Sequence, residues 1–343
     1  MILKTNISGQ TNYSIISNAT FNLDDNEQGR DLVRGVFFLI FTIAAVVLNL
    51  FIIVAVRNRR KNYLEQFLNI RNILLIHLGS VGLAASILCL FFAAVVSFSG
   101  WKSSYRTVCQ AQGLVQAILT QVTTWTLAAI SWDKYQTIVS PFQHSNVAPI
   151  RKMLVLFCVM WITALIIGIP PLFYENGYIY QRTLGSCFMN TSTPSRHHWY
   201  GGLVLCVLFF APLCVMLYTY AHIYRIARTH SSRIAATMIR MGCVVQVPLV
   251  INGRTVGAGP ATIKWTKAML TILQLLGTFI MTYIPFSVVI VAGLCGLDLC
   301  SFSVLVTVLS TIFQAAPVTN GATYGIQNKL LRNSFRRYVR RRI

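Results

Sequence analysis

Seven apolar stretches dominate the chain and constrain it more than any other feature. They are Val33 to Val56, Asn72 to Phe98, Val108 to Val139, Met153 to Phe173, Trp199 to Ile226, Ala268 to Leu294 and Phe302 to Ile326. A helix needs about 20 apolar residues to cross the hydrocarbon core of a bilayer, and each stretch meets that length. Inside a bilayer no water satisfies backbone N–H and C=O groups, so a span must be a helix or part of a closed barrel, and barrel strands run to only about 10 residues. The expected fold class is therefore all-α, a seven-transmembrane helix bundle. Composition agrees: 55% of the residues are hydrophobic and 11% charged, whereas a soluble domain carries roughly 25% charged residues. A formal net charge of +21 would suit a nucleic-acid binder. Here, however, the basic residues flank long apolar runs and line no polar face, so no nucleic acid is expected as a partner.

The positions of those basic residues set the orientation. Of 29 Lys and Arg, 22 fall in the first, third and fifth connections, the adjoining helix ends and the C-terminal segment, which makes those segments cytoplasmic and puts the N-terminus outside. Asn-x-Ser/Thr acceptors at Asn6, Asn12, Asn18 and Asn190 all lie on the outer side in this topology. Cys109, Cys187, Cys295 and Cys300 also map to outer helix ends or outer loops, where an oxidising compartment permits disulfides. A Cys109–Cys187 bond would pin the second outer loop over the bundle mouth, and a Cys295–Cys300 bond would staple the last outer loop to itself. The chain then divides into a glycosylated extracellular tail (residues 1–32), the bundle (33–326), a third intracellular loop (227–265) and a basic C-terminal segment (327–343), in a multi-pass plasma-membrane protein.

Ionisable residues inside a bilayer usually mark an ion or proton pathway. His77 is the clear instance here, and a histidine hydrogen-bonded to a neighbouring helix is the plainer account of it. Carboxylates at acid–base spacing, a nucleophile elbow and metal-ligand spacing are all missing from the sequence, so no enzyme, cofactor or metal site is expected. An ion-coupled transporter would show buried charge and internal repeats, and neither is visible. What is left is a polar-flecked cavity facing outward and a basic rim facing inward, which is the layout of a receptor.

At the third stretch the sequence Ser131-Trp132-Asp133-Lys134-Tyr135, with Pro141 six residues on, resembles the Asp-Arg-Tyr motif of rhodopsin-like (class A) G-protein-coupled receptors. Cys109 lies 25 residues before Lys134, the family's spacing from its disulfide cysteine. Asn49, Trp101, Trp161, Pro212, Tyr220, Phe279, Pro285, Asn320 and Tyr324 fall in register with the family's other landmarks. Lys267 to Leu273 and Ile223 to Arg228 are most similar to its amine-like orphan branch. The resemblance implies coupling to a heterotrimeric G protein, with Asp133, Lys134, Tyr135, Tyr220, Phe279, Pro285, Asn320 and Tyr324 in the activation and coupling machinery.

The chain departs from the family's pattern at five places. Lys134 stands for an arginine that pairs with the adjacent acid at rest and meets the G protein when active. Lysine keeps the charge but lacks the planar two-pronged donor. Gly82 stands where a sodium-binding aspartate is expected, so sodium-dependent allostery should be lost. Tyr283 replaces the tryptophan before the helix-six proline. Gly321 replaces a proline after Asn320, and Pro317 is positioned to supply the kink instead. Gln116 occupies the place where amine receptors carry the aspartate that neutralises the ligand. An amide cannot neutralise a desolvated ammonium, so a biogenic amine is disfavoured.

Gln116, Tyr283 and Gln314 would form a neutral, hydrogen-bonding floor for an unidentified ligand, or else simply join helices. On the inner side, Asn252-Gly253 between β-branched residues signals a hairpin, against which a disordered loop is weighed. Residues 327–343 repeat Leu331, Phe335 and Tyr338 or Val339 among arginines, which predicts, in preference to a solvated basic tail, a short amphipathic helix after the seventh span, lying on anionic inner-leaflet lipids. Constitutive activity and a receptor dimer stay open. So do two alternatives: a receptor-like decoy or partner subunit favoured by Lys134, Gly82 and Gly321, and, further off, a membrane transporter.

Overall fold

The structure is a computed structural model. It describes the backbone of residues 7–57, 70–100, 106–139, 149–174, 176–190, 198–240, 250–251, 254–255, 260–297 and 302–325, with side chains from residue 29 onward and fewer of them around the third intracellular loop. Among the described residues the fold is a helix bundle with two small hairpins. The helices are α1 (Ile7–Arg57), α2 (Ile70–Ser99), α3 (Arg106–Val139), α4 (Pro149–Gly168), α5 (His198–Leu205 continuing through Ala211–Arg240), α6 (Pro260–Leu294) and α7, which has two halves, Ser303–Gln314 and Ala316–Gly325. Hairpin β1 (Tyr178–Gln181) and β2 (Ser186–Met189) lies between α4 and α5. Hairpin β3 (Val250–Ile251) and β4 (Arg254–Thr255) lies between α5 and α6.

Six helices are each long and apolar enough to cross a membrane, and the two halves of α7, bent by 43°, supply the seventh crossing. Large apolar side chains such as Ile43, Val47, Leu154, Ile166, Met281 and Val304 face outward, more than half exposed. In water that surface would be an aggregation-prone patch, whereas hydrocarbon solvates it. The third helix is the axis of the bundle: 61% of its most apolar window is buried, against 17% for α4, which rides on the periphery.

Local breaks in the helices follow from the sequence. Pro212 has no N–H, so the carbonyls one turn before it lose a donor. A π-helical turn at Cys206–Phe210 absorbs the mismatch, and the Trp125 indole donates to the Val207 carbonyl at 3.0 Å. A second π turn, Ser86–Leu90, interrupts α2, with the Ser86 hydroxyl donating to the Gly82 carbonyl at 2.6 Å. Pro317 lies just after the break in α7 and cannot donate to the Phe313 carbonyl, which accounts for the bend without a proline at Gly321.

The Asn252-Gly253 signal coincides with a ladder pairing Val250 with Thr255 and Ile251 with Arg254. Helix α5 runs on to Arg240 and α6 starts at Pro260, so helix occupies much of the stretch expected to be loop. Helical backbone likewise begins at Ile7, inside the expected tail, and carries Asn12 and Asn18. Asn6, Cys300 and the basic segment 327–343 lie outside the described residues.

Candidate functional site

The β1–β2 hairpin enters the outer mouth of the bundle and is fixed on several sides. Gly185, at φ +63°, forms the turn that a residue with a Cβ would resist. The Cys109–Cys187 disulfide ties β2 to the start of α3, as expected. Cys295 is an exposed free thiol. Gly113 lets the hairpin lie against α3, since a Cβ there would come within 2.5 Å of the Tyr178 ring. The Tyr178 hydroxyl donates to the Gly168 carbonyl at the end of α4, 2.8 Å away. Burial, with Tyr200 nearby, pushes that phenol above its ordinary range and keeps it a donor. At the hairpin tip Asp31 of α1 pairs with Arg34 at 2.7 Å and with Arg182 at 3.3 Å, while Arg34 also donates to the Arg182 carbonyl.

Behind the disulfide runs a chain of amides that begins and ends on β2. The Cys187 N–H donates to Gln112 Oε1 at 2.9 Å, and Gln112 donates to Gln116 at 3.5 Å. Gln116 donates to Gln314 of α7 at 3.4 Å, and Gln314 donates to Ser186 Oγ at 2.6 Å. All three glutamines and Ser186 are buried. Gln112 and Gln116 sit four residues apart on one helix face, which lets their amides meet end to end. Two residues beyond Ser186, the Phe188 ring inserts edge-on to Phe286 at 5.2 Å and Phe313 at 6.2 Å, which themselves stack at 4.2 Å. Such edge-to-face geometry is favourable beyond the area it buries.

The hairpin thus fills the outer mouth of the bundle. Beneath it a cavity of about 30 Å³ remains, lined by Gln116, Tyr283, Gln314 and Asn320 among others. That is room for a water, whereas small-molecule pockets run to roughly 300–1,000 Å³. Of the expected floor, Gln116 and Gln314 are joined directly. Tyr283 lies deeper: its hydroxyl accepts from Asn320 Nδ2 at 3.2 Å, and its ring packs on Phe279 at 4.9 Å. A tryptophan could not accept that bond, so Tyr283 ties α6 to α7 in a way the family's usual residue does not.

Gly82 and Gly321, two of the departures, have one shared explanation in packing. A Cβ on Gly82 would lie 2.4 Å from Asn49 Oδ1, and one on Gly321 would lie 2.8 Å from Leu48 Cβ and 3.4 Å from Asn49 Nδ2. The two glycines therefore seat Asn49 between α2 and α7, where its amide donates to the carbonyls of Ala45 at 2.8 Å and Pro317 at 3.1 Å. Asn49 occupies the space an aspartate at position 82 would need.

At the inner end Asp133 is buried and ion-pairs with Arg71 of α2 at 3.3 Å; Arg71 also reaches Thr137 at 3.4 Å. Lys134 instead holds its ammonium over the ring of Tyr324 on α7, 5.9 Å from the centroid, within cation–π range. Tyr135 joins an aromatic cluster with Trp132, Tyr218 and His222 at ring separations of 5.4–6.3 Å. Tyr220 stacks on Tyr224, and Pro285 lies inside α6. His77 bears out its plainer account: Trp161 Nε1 donates to its Nε2 at 3.2 Å, leaving Nδ1 to donate to Thr126 Oγ1 at 3.1 Å.

Sequence reasoning missed Gln112, Ser186, Phe188 and Arg71. Ser186 and Phe188 flank Cys187, so any loop held by that disulfide brings one or both to the mouth. Gln112 was detectable as the i−4 partner of Gln116. Arg71 carried no signal beyond its charge, because its pairing with Asp133 depends on how α2 and α3 pack.

Comparison with known proteins agrees with this architecture. The family model described as 7 transmembrane receptor (rhodopsin family) matches residues 48–323. G-protein coupled receptor 161 of Danio rerio is 28% identical over 342 residues, covering 95% of this chain, which spans 62% of that protein's length. The ultraviolet-sensitive opsin of Melopsittacus undulatus is 24% identical over 52% of this chain and 56% of its own. The 5-hydroxytryptamine receptor 5B of Mus musculus is 23% identical over 57% of this chain and 55% of its own. With the family model matching residues 48–323, most of its length, the chain belongs to the rhodopsin family of seven-transmembrane receptors, as a multi-pass protein of the plasma membrane.

Proposed function

We propose that this chain is a receptor that activates heterotrimeric G proteins without a diffusible ligand, its own second-outer-loop hairpin serving as the resident occupant of the ligand cavity. The observation that carries this reading is the burial of Ser186 and Phe188 among Gln314, Phe286 and Phe313, with a cavity of about 30 Å³ beneath them among the described residues. The sign of the effect, activating and not blocking, is supported at the inner end. Asp133 is engaged by Arg71, which leaves Lys134 to lie over the Tyr324 ring on α7. In the family that Lys134 resembles, the equivalent cation pairs with the adjacent acid at rest. A biogenic amine is not its ligand on this reading, because Gln116 is neutral and already bonded to Gln112 and Gln314.

The test is nucleotide exchange on purified G-protein heterotrimers by the receptor in nanodiscs with no ligand added. Exchange well above empty discs for at least one heterotrimer class is expected. A folded receptor that leaves every class at the empty-disc rate overturns the proposal.

A further inference from the structure

A second cavity, of about 390 Å³, lies far from the hairpin, between the inner halves of α3 and α4 with α2 and α5 at its sides. That volume falls within the small-molecule range. Its walls are mostly hydrocarbon and indole: Trp125, Trp132, Met153 and Leu156, with Ala129 making room between them. The Trp125 N–H is already spent on the Val207 carbonyl, so the indole turns an apolar ring to the space. Polar groups cluster at the cytoplasmic end, as Gln136 and Lys152. Asp133 also lines the cavity, and its carboxylate is paired with Arg71.

Depth and charge together select an occupant. From Lys152 to Met160 the helix rises about 12 Å, close to the roughly 15 Å of hydrocarbon in one leaflet. Lys152, which lines the cavity, is exposed, as is its neighbour Arg151, on the side where the cytoplasmic leaflet carries its anionic lipids. The pairing of Asp133 with Arg71 removes the negative charge that would repel an anionic headgroup. A sterol would fill the apolar part but has no charge to set against Lys152.

We infer that this cleft binds an anionic inner-leaflet phospholipid, one acyl chain lying between Trp125, Trp132 and Leu156 and the headgroup at Lys152. The site goes beyond receptor activity and stands independently of the hairpin proposal. It is tested by purifying the full chain from an equimolar mixture of phosphatidylcholine, phosphatidylserine and cholesterol and weighing retained lipids by native mass spectrometry. Phosphatidylserine should be retained in preference to the other two. Lys152→Glu, a surface change that leaves the fold intact, should cut its retention by roughly fivefold or more. Ala129→Phe, which fills the cleft, should do the same, whereas Arg225→Glu on the exposed inner end of α5 should not. Equal retention in Lys152→Glu and wild type overturns the site, as does an equal loss in Arg225→Glu or a preference for cholesterol.

Discussion

Removing the Phe188 ring should silence ligand-independent signalling while leaving the bundle assembled. The ring is 7% exposed and makes two edge-to-face contacts, with Phe286 and Phe313. Truncating a buried phenylalanine to alanine costs about 3–5 kcal/mol. Here the side chain belongs to a hairpin docked into an assembled bundle, so that cost falls mainly on docking and less on the helices. At about 1.4 kcal/mol per tenfold, the docked-to-undocked ratio should drop by about 10² to 4 × 10³ if the whole cost falls on docking. The Cys109–Cys187 bond still holds the loop at the mouth, so the change tests the fit of the hairpin and not its presence. The assay is basal nucleotide exchange at matched surface abundance, comparing wild type, Phe188→Ala and Phe188→Leu. The alanine variant should lose most of its basal exchange, and leucine, which keeps part of the apolar volume, should retain an intermediate level. Unchanged exchange in Phe188→Ala would refute an agonist role for the hairpin. A rise would show that it blocks the cavity.

Three further outcomes follow from the same geometry. Arg71→Ala leaves the buried Asp133 carboxylate without its α2 partner; because the Arg71 side chain is 41% exposed, the cost should fall below the about 3–5 kcal/mol of a fully buried pair, and Lys134 should swing back to the acid, lowering basal exchange while Lys134→Arg preserves it. Gly82→Asp should not restore sodium sensitivity, because its Cβ would press on Asn49 Oδ1; reduced thermal stability in detergent is expected, and a sodium-dependent rise in melting temperature would contradict the packing account. Ser186→Ala removes the acceptor for the buried Gln314 amide, costing about 1–3 kcal/mol, and should lower basal exchange less than Phe188→Ala does.

The topology was legible in the sequence because each of its signals is local or additive. A span of about 20 apolar residues needs no partner to declare itself a membrane helix. Charge asymmetry fixes orientation whichever helices touch, and the bend near Pro317 comes from backbone chemistry within a few residues. The motif around Lys134 and the spacing of Cys109 likewise pointed to the receptor family from residue order alone.

Tertiary structure decided the contents of the site, because these depend on residues far apart in the chain. Gln116 and Gln314, 198 positions apart, were recognisable as polar groups in apolar helices, but only packing shows that Ser186 and Gln112 complete their hydrogen bonds. From the sequence Gly82, Gly321 and Lys134 read as three separate departures from the family's pattern. In the fold the two glycines are a single seat for Asn49, and Lys134 lies over Tyr324 because Arg71, 62 residues before Asp133, holds the acid. The physical reason is the same in each case. Composition and periodicity record which solvent a residue prefers, whereas a buried polar group's partner is set by which helix faces it, and that is a property of the assembled bundle.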